Sequence, residues 1–228
     1  GTTAERFYAH TPICNPSRAE ILSGRYFHNI KRPGGKLWSM HVNESKVEKE
    51  NFVRDLHDAG YTTALIGKYL NTMPNEVPPG FDVWLANDGG TYIAPWFQMY
   101  NTSFLEMEGL TMAHRDHHEC WNDKFSDDNA TTTRRLHENN ELYGCFYGTT
   151  DASNYSTAVI GNASMAFIRR AVENDPTRPF FAYIAPKAAH EPFNPAPWYQ
   201  DHWDDSWPLH EPRNNPAWTA SAELRAGK

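Results

Sequence analysis

Cys14 stands in the run Thr11-Pro-Ile-Cys14-Asn15-Pro16-Ser17-Arg18, which continues Ala-Glu-Ile-Leu22-Ser23-Gly24-Arg25. Pro16 and Ser17 suit the first turn of a helix, where proline needs no amide hydrogen bond. A helix opening there aims Cys14 and free backbone amides at one spot, which favours an anion. Arg18 lies one turn inside and can return a guanidinium to the same anion. Ile21 and Leu22 pack the helix inward, and Gly24 ends it. A nucleophile, a helix start and a guanidinium together suit cleavage of a charged ester. Against this, a lone cysteine is more often a small buried hydrophobe. A Cys-x5-Arg phosphatase loop is excluded, because position 20 is Glu.

Two more candidates follow strands. Lys68 closes a buried run at 61–67, and ligand groups of α/β sheets gather at the carboxyl ends of strands. A lysine there can reach a bound anion; taken alone, it reads as a solvated strand end. His190 lies in Ala185-Pro-Lys187-Ala-Ala-His190-Glu191-Pro192, just past an apolar run at 180–184. That placement favours a functional histidine over one that merely caps a carbonyl, with Lys187 a less certain neighbour. The cluster His114-Arg-Asp116-His117-His118-Glu-Cys120 lacks a matching second pair of ligands and reads as a polar loop rather than a zinc site.

The elements that must hold these residues read as follows. Residues 6–10 form a strand entering the Cys14 loop, and 28–45 a polar loop. Residues 47–59 repeat apolar positions at helical spacing, and Gly60 stops them. Residues 61–67 are a short buried strand. The glycines and prolines of 72–90 predict a loop, followed by short strands at 91–94 and 96–100. The stretch 111–150 gives no clear signal. Residues 153–173 are an amphipathic helix, 180–184 a buried strand, and everything after Pro192 a long loop. Helix, glycine, strand is the grammar of an α/β layered sheet with helices on both faces.

The core Cys14-x-Pro16-Ser17-Arg18 with Leu22-Ser23-Gly24-Arg25 resembles the signature of type I sulfatases. The run Gly67-Lys68-Tyr69-Leu70-Asn71, with Val77-Pro-Pro-Gly80-Phe81-Asp82-Val-Trp84, is similar to glucosamine-6-sulfatases and heparan endosulfatases. Other sulfatases carry Gly-Lys-x-His, and Leu70 stands where their histidine is. Ala185 to Pro192 resembles the family's Ala-Pro-His-x-Pro segment.

The resemblance implies an alkaline-phosphatase-like fold, with 1–228 a partial N-terminal catalytic domain truncated at both ends. It implies that Cys14 is oxidised to formylglycine by a formylglycine-generating enzyme. That aldehyde would serve as hydrated nucleophile and as a ligand to a divalent cation, calcium by family habit. Arg18 and Lys68 would bind sulfate, and His190 would protonate the leaving oxygen. The substrate would be a sulfated carbohydrate such as a glucosamine 6-sulfate. The family's Asp-Asp pair would lie upstream of Gly1, and its Asp-Asn or Asp-His pair and second lysine downstream of His190. Asp127-Asp128 and Asp204-Asp205 do not follow strands of the right kind to replace them. On that reading the 228-residue piece alone is metal-poor and inactive.

Composition narrows the alternatives. With 228 residues and 39% hydrophobics the chain can build a substantial core. A formal charge of −7 argues against a nucleic-acid partner, and no stretch approaches a membrane span. Five Asn-x-Ser/Thr acceptors, at Asn43, Asn101, Asn129, Asn154 and Asn162, point to a secretory route, lysosomal or extracellular. Cys120 and Cys145 either pair or stay free. A phosphate or phosphonate ester hydrolase using the same aldehyde, and a non-catalytic binder of sulfated glycans, are the competing readings. The intact set Cys14, Arg18, Lys68 and His190 speaks against the binder.

Overall fold

The computed structural model describes residues 3, 8–34, 40–74, 76–93, 95–102, 104–107, 144–147 and 155–201. The chain divides into two compact units, Gly1–Asn194 and Pro195–Lys228. In the second, the described element is one 3-10 turn, Pro197–Tyr199.

The first unit is built on a five-stranded sheet. Its strands are β1 (Thr62–Lys68), β2 (Val83–Asn87), β3 (Trp96–Tyr100), β4 (Gly144–Tyr147) and β5 (Phe180–Ala185). Their order is β4-β3-β2-β1-β5. β1 runs parallel to β2 and to β5, whereas β3 is antiparallel to β2 and to β4. Parallel neighbours require crossover connections. The path from β1 to β2 holds no helix among the described residues, and the path to β5 includes the long helix before it. Six α-helices are described. They are α1 (Cys14–Ser23), α2 (Phe27–Ile30), α3 (Glu44–Lys49), α4 (Phe52–Asp58), α5 (Phe104–Met107) and α6 (Ser156–Asn174).

Strand alternation sorts the core into two layers. Leu65, Trp84 and Ala86 face one side and pack with Ala19 and Leu22 of α1, Phe27 and Ile30 of α2, Val47 of α3 and Val53 of α4. Ala64, Ile66, Val83 and Leu85 face the other and pack with Val159, Ile160, Ala163 and Phe167 of α6. Helices therefore cover both faces, as the sequence predicts.

Several expectations change. The helix predicted over 47–59 is two helices. Asn51 breaks it by accepting the Arg54 amide at 3.2 Å and capping α4, and Asn43 caps α3 in the same way. The loop predicted over 72–90 hides β2, buried at every position, because its short Val-Trp-Leu-Ala run is framed by turn residues. Of the strand predicted at 91–94, the described residues 91–93 are irregular, whereas the one at 96–100 forms β3. The predicted strand at 6–10 falls partly outside the described residues, and residues 8–10 are irregular. β5 is not buried: it forms an edge of the described sheet, with Phe180 and Ile184 exposed.

Candidate active site

α1 begins at Cys14, and Ile13 caps it without a side-chain hydrogen bond. The first helical bond runs from the Ser17 amide to the Ile13 carbonyl at 2.9 Å, so the opening amides keep no partner within the helix. No acidic residue sits in the first turn to compete for them. At the far end Gly24 adopts φ 64° and donates its amide to the Glu20 carbonyl, as a left-handed cap should. The buried side is Asn15, Pro16, Ala19 and Leu22. Ile21 is 54% exposed. One residue is a 100° step on a helix, so Ile21 and Leu22 cannot both point inward.

Asn15 is the link that sequence reading missed. Its Oδ1 accepts the Asn71 amide at 3.0 Å, and its Nδ2 donates to the Met40 carbonyl at 2.7 Å. The nucleophile helix is thus tied to the segment after β1. Asn71 returns the connection, its Oδ1 lying 3.7 Å from Cys14 Sγ. Leu70 is fully buried and Tyr69 packs edge-on against Trp84 at 4.9 Å, so both positions belong to the core.

β1 delivers Lys68 to the same place. Arg18 Nη1 donates to the Lys68 carbonyl at 2.9 Å, clamping α1 to the strand end. Lys68 is 7% exposed, and its Nζ would lie 3.1 Å from a Cβ at Gly89. Gly89 has φ +111°, so a side chain there would be both strained and in the lysine's way. Burial pulls the Lys68 proton affinity down; Arg18 and Lys187 pull the same way, while Cys14 and Asp88 oppose them. Asp88 and the Gly89-Gly90 pair carried no sequence signal beyond that of a loop.

Cys14, Ser17 and Arg18 open onto a cavity of about 540 Å³ whose other walls include Ile13, Ile21 and the β5 exit at 183–186. Cys14 is half-buried and makes no disulfide.

His190 follows β5, whose parallel partner is β1, so it leaves the same sheet edge as Lys68. The structure joins Cys14, Arg18 and Lys68 directly; among described contacts it does not join His190 to them. The His190 ring is exposed, and its Nδ1 lies 2.8 Å from the Glu191 carbonyl oxygen. A carbonyl only accepts, so Nδ1 is the donor in this contact. Lys187 donates to the Gly90 carbonyl and lies 4.8 Å over the Tyr92 ring.

Among the described residues, no group of three or more His, Cys, Asp or Glu side chains could hold a metal. Among the described residues, the acidic groups that act on Lys68 are Cys14 and Asp88. A calcium ion takes about six to eight oxygens, so the described residues do not fit a resident cation. The 114–120 cluster, Cys120, Asn129, Asn154 and both Asp-Asp pairs lie outside the described residues. No described helix is long and apolar enough to cross a membrane.

A family model described as Sulfatase matches residues 1–212. A putative extracellular sulfatase Sulf-1 homolog of Caenorhabditis elegans is 30% identical over 199 residues, covering 86% of this chain and 22% of the relative. The N-acetylglucosamine-6-sulfatase of Homo sapiens is 26% identical over 227 residues, covering 94% of this chain and 32% of the relative. A solved structure in complex with its substrate D-glucosamine-2-N,6-O-disulfate shares the fold at TM-score 0.50 and 23% identity, covering 86% of this chain and 28% of that one. The chain belongs to the sulfatase family, and its sheet is part of the alkaline-phosphatase-like sulfatase fold. It spans 22% and 32% of the length of these two relatives.

Proposed function

We propose that residues 1–228 are part of the N-terminal catalytic domain of a sulfuric ester hydrolase that cleaves a sulfate ester on a sulfated sugar. The observation that carries this is the clamp of Arg18 on the Lys68 carbonyl, which gathers two cations beside Cys14 at an uncapped helix start. Oxidised to formylglycine, position 14 supplies a hydrated aldehyde, one hydroxyl attacking sulfur and the other expelling sulfate as the carbonyl reforms.

The chain's own residues do the rest. The free amides of α1 and the Arg18 guanidinium hold the sulfate oxygens, and Lys68 neutralises charge as the sulfur–oxygen bond breaks. Nδ1 of His190 donates its proton to the Glu191 carbonyl, which leaves Nε2 as the nitrogen to deliver a proton to the leaving sugar oxygen when the ring is cationic. A glucosamine 6-sulfate is the favoured substrate, supported by the names of the relatives and by the Leu70-Asn71 pattern. A formylglycine-generating enzyme and a secretory location, lysosomal or extracellular, follow from the same reading.

The test uses the full-length enzyme from a competent secretory host. The peptide containing position 14 is expected about 18 Da lighter than its thiol form. Turnover is expected on sulfate esters, with Cys14→Ser inactive. An unmodified thiol, or turnover confined to phosphate esters, overturns the proposal. Replacing His190 by Ala is expected to slow an alkyl sulfate by about 100-fold, and a nitrophenyl sulfate far less, because its leaving oxygen hardly needs a proton.

A further inference from the structure

The segment carrying His190 is held by two tyrosines from elsewhere in the fold. Tyr92, between β2 and β3, is 3% exposed. Its hydroxyl donates to the backbone carbonyl of His190, which also accepts the Phe193 amide at 3.0 Å. Its ring supports Lys187 Nζ from 4.8 Å and stacks on Tyr155, with centroids 5.5 Å apart and planes at 15°. Its carbonyl accepts the Ser156 amide at 2.7 Å, at the start of α6. Tyr155 in turn donates its hydroxyl to the Asn194 carbonyl at 2.8 Å. The turn closes on itself through the His190 amide, 2.9 Å from the Lys187 carbonyl.

We infer that Tyr92 is a positioning residue: its hydroxyl fixes the backbone of His190, and so sets the imidazole for proton transfer. The inference rests on the role given to His190 under the proposed function. Tyr92 holds both ends of this turn, Lys187 by its ring and His190 by its hydroxyl. An exposed imidazole on a loop has no packing of its own to fix it. Its direction then depends on the backbone that carries it, and displacements of about an ångström suffice to slow a proton transfer. Tyr92 and His190 are far apart in sequence, so only the fold reveals the connection.

The test compares Tyr92→Phe, His190→Ala and the double variant in the full-length enzyme. The phenylalanine keeps the ring under Lys187 and against Tyr155 and removes only the hydroxyl. Turnover of an alkyl sulfate is expected to fall about tenfold in kcat, with KM and nitrophenyl sulfate turnover changed less than about twofold. In the His190→Ala background the same substitution is expected to have no further effect. As a milder probe, 3-fluorotyrosine at position 92 keeps the hydroxyl and is expected to leave alkyl sulfate turnover within about twofold of wild type.

Equal losses on both substrates, an undiminished effect in the His190→Ala background, or a large loss with fluorotyrosine overturns the inference and leaves His190 in its role. An alkyl sulfate rate that survives His190→Ala overturns the role of His190 itself, and that of Tyr92 with it. If Tyr92→Phe fails to fold, Tyr155→Phe serves as a second variant. It releases the Asn194 carbonyl and leaves the Tyr92 hydroxyl on His190 in place, so it is expected to spare alkyl sulfate turnover. A tenfold loss there would overturn the assignment to Tyr92.

Discussion

Lys68 brings a charge into a nearly buried position, and its environment sets how long it keeps that charge. Burial disfavours the ammonium, and Arg18 and Lys187 add to this, so the group releases its proton below the usual lysine range. Cys14 opposes the shift, and the conversion to an aldehyde proposed above would remove that opposition. The sign follows: as pH rises, the free enzyme loses the Lys68 cation earlier than an ordinary lysine would, and with it the hold on an anion. The alkaline limb of kcat/KM is therefore expected below the ordinary lysine range. Lys68→Arg, always charged, is expected to abolish that limb. A limb unchanged in the arginine variant would assign it to another group. Lys68→Ala is expected to lower kcat/KM by about 100-fold, since a buried charged donor at the transition state is typically worth about 3 kcal/mol.

The elements hold these residues through backbone contacts that leave little tolerance. Gly67, with φ +115°, would place a Cβ 2.2 Å from the Ala185 carbonyl oxygen, so β1 and β5 meet there only because position 67 has no side chain. Gly67→Ala is expected to cost more than about 2 kcal/mol in urea denaturation, since both the backbone angle and the close approach forbid it. Asn15→Ala would strand the part-buried Asn71 amide and the carbonyl of exposed Met40, at about 1–3 kcal/mol together because water reaches the second. A loss under 1 kcal/mol would mean that water replaces the asparagine. Much of this was legible in the sequence: the start and end of α1 at Cys14 and Gly24, Lys68 at a strand end and the long helix α6 all follow from local signals. The rest was not, because Asn15, Gly89 and Tyr92 act on partners remote in sequence. β2 escaped because a five-residue strand between proline and glycine turns looks like more loop.

At the scale of the molecule, the sheet divides the core in two. Trp84 packs edge-on against Tyr69 and Phe81 in the layer that carries α1, and its neighbour Leu85 faces α6. The layer with α1 positions Cys14 and Arg18. The layer with α6 meets the His190 segment through the Tyr155 hydroxyl on the Asn194 carbonyl, and holds Tyr92 through the Ser156 amide at the start of that helix. Parallel pairing of β1 with β5 brings the two to one edge, which is why the fold class was legible from the helix-glycine-strand order while the closeness of the two loops was not. If the layers are energetically separate, small core changes on opposite sides should not interact. Ile30, fully buried among α1 and α2, and Ile160, 1% exposed on α6, test this. Each Ile→Val change is expected to cost about 0.5–1.5 kcal/mol. The double variant should match their sum within about 0.5 kcal/mol, as sites without shared partners do. A coupling above about 1 kcal/mol would show that strain crosses the sheet. Packing on the α6 side would then also set the geometry at Cys14.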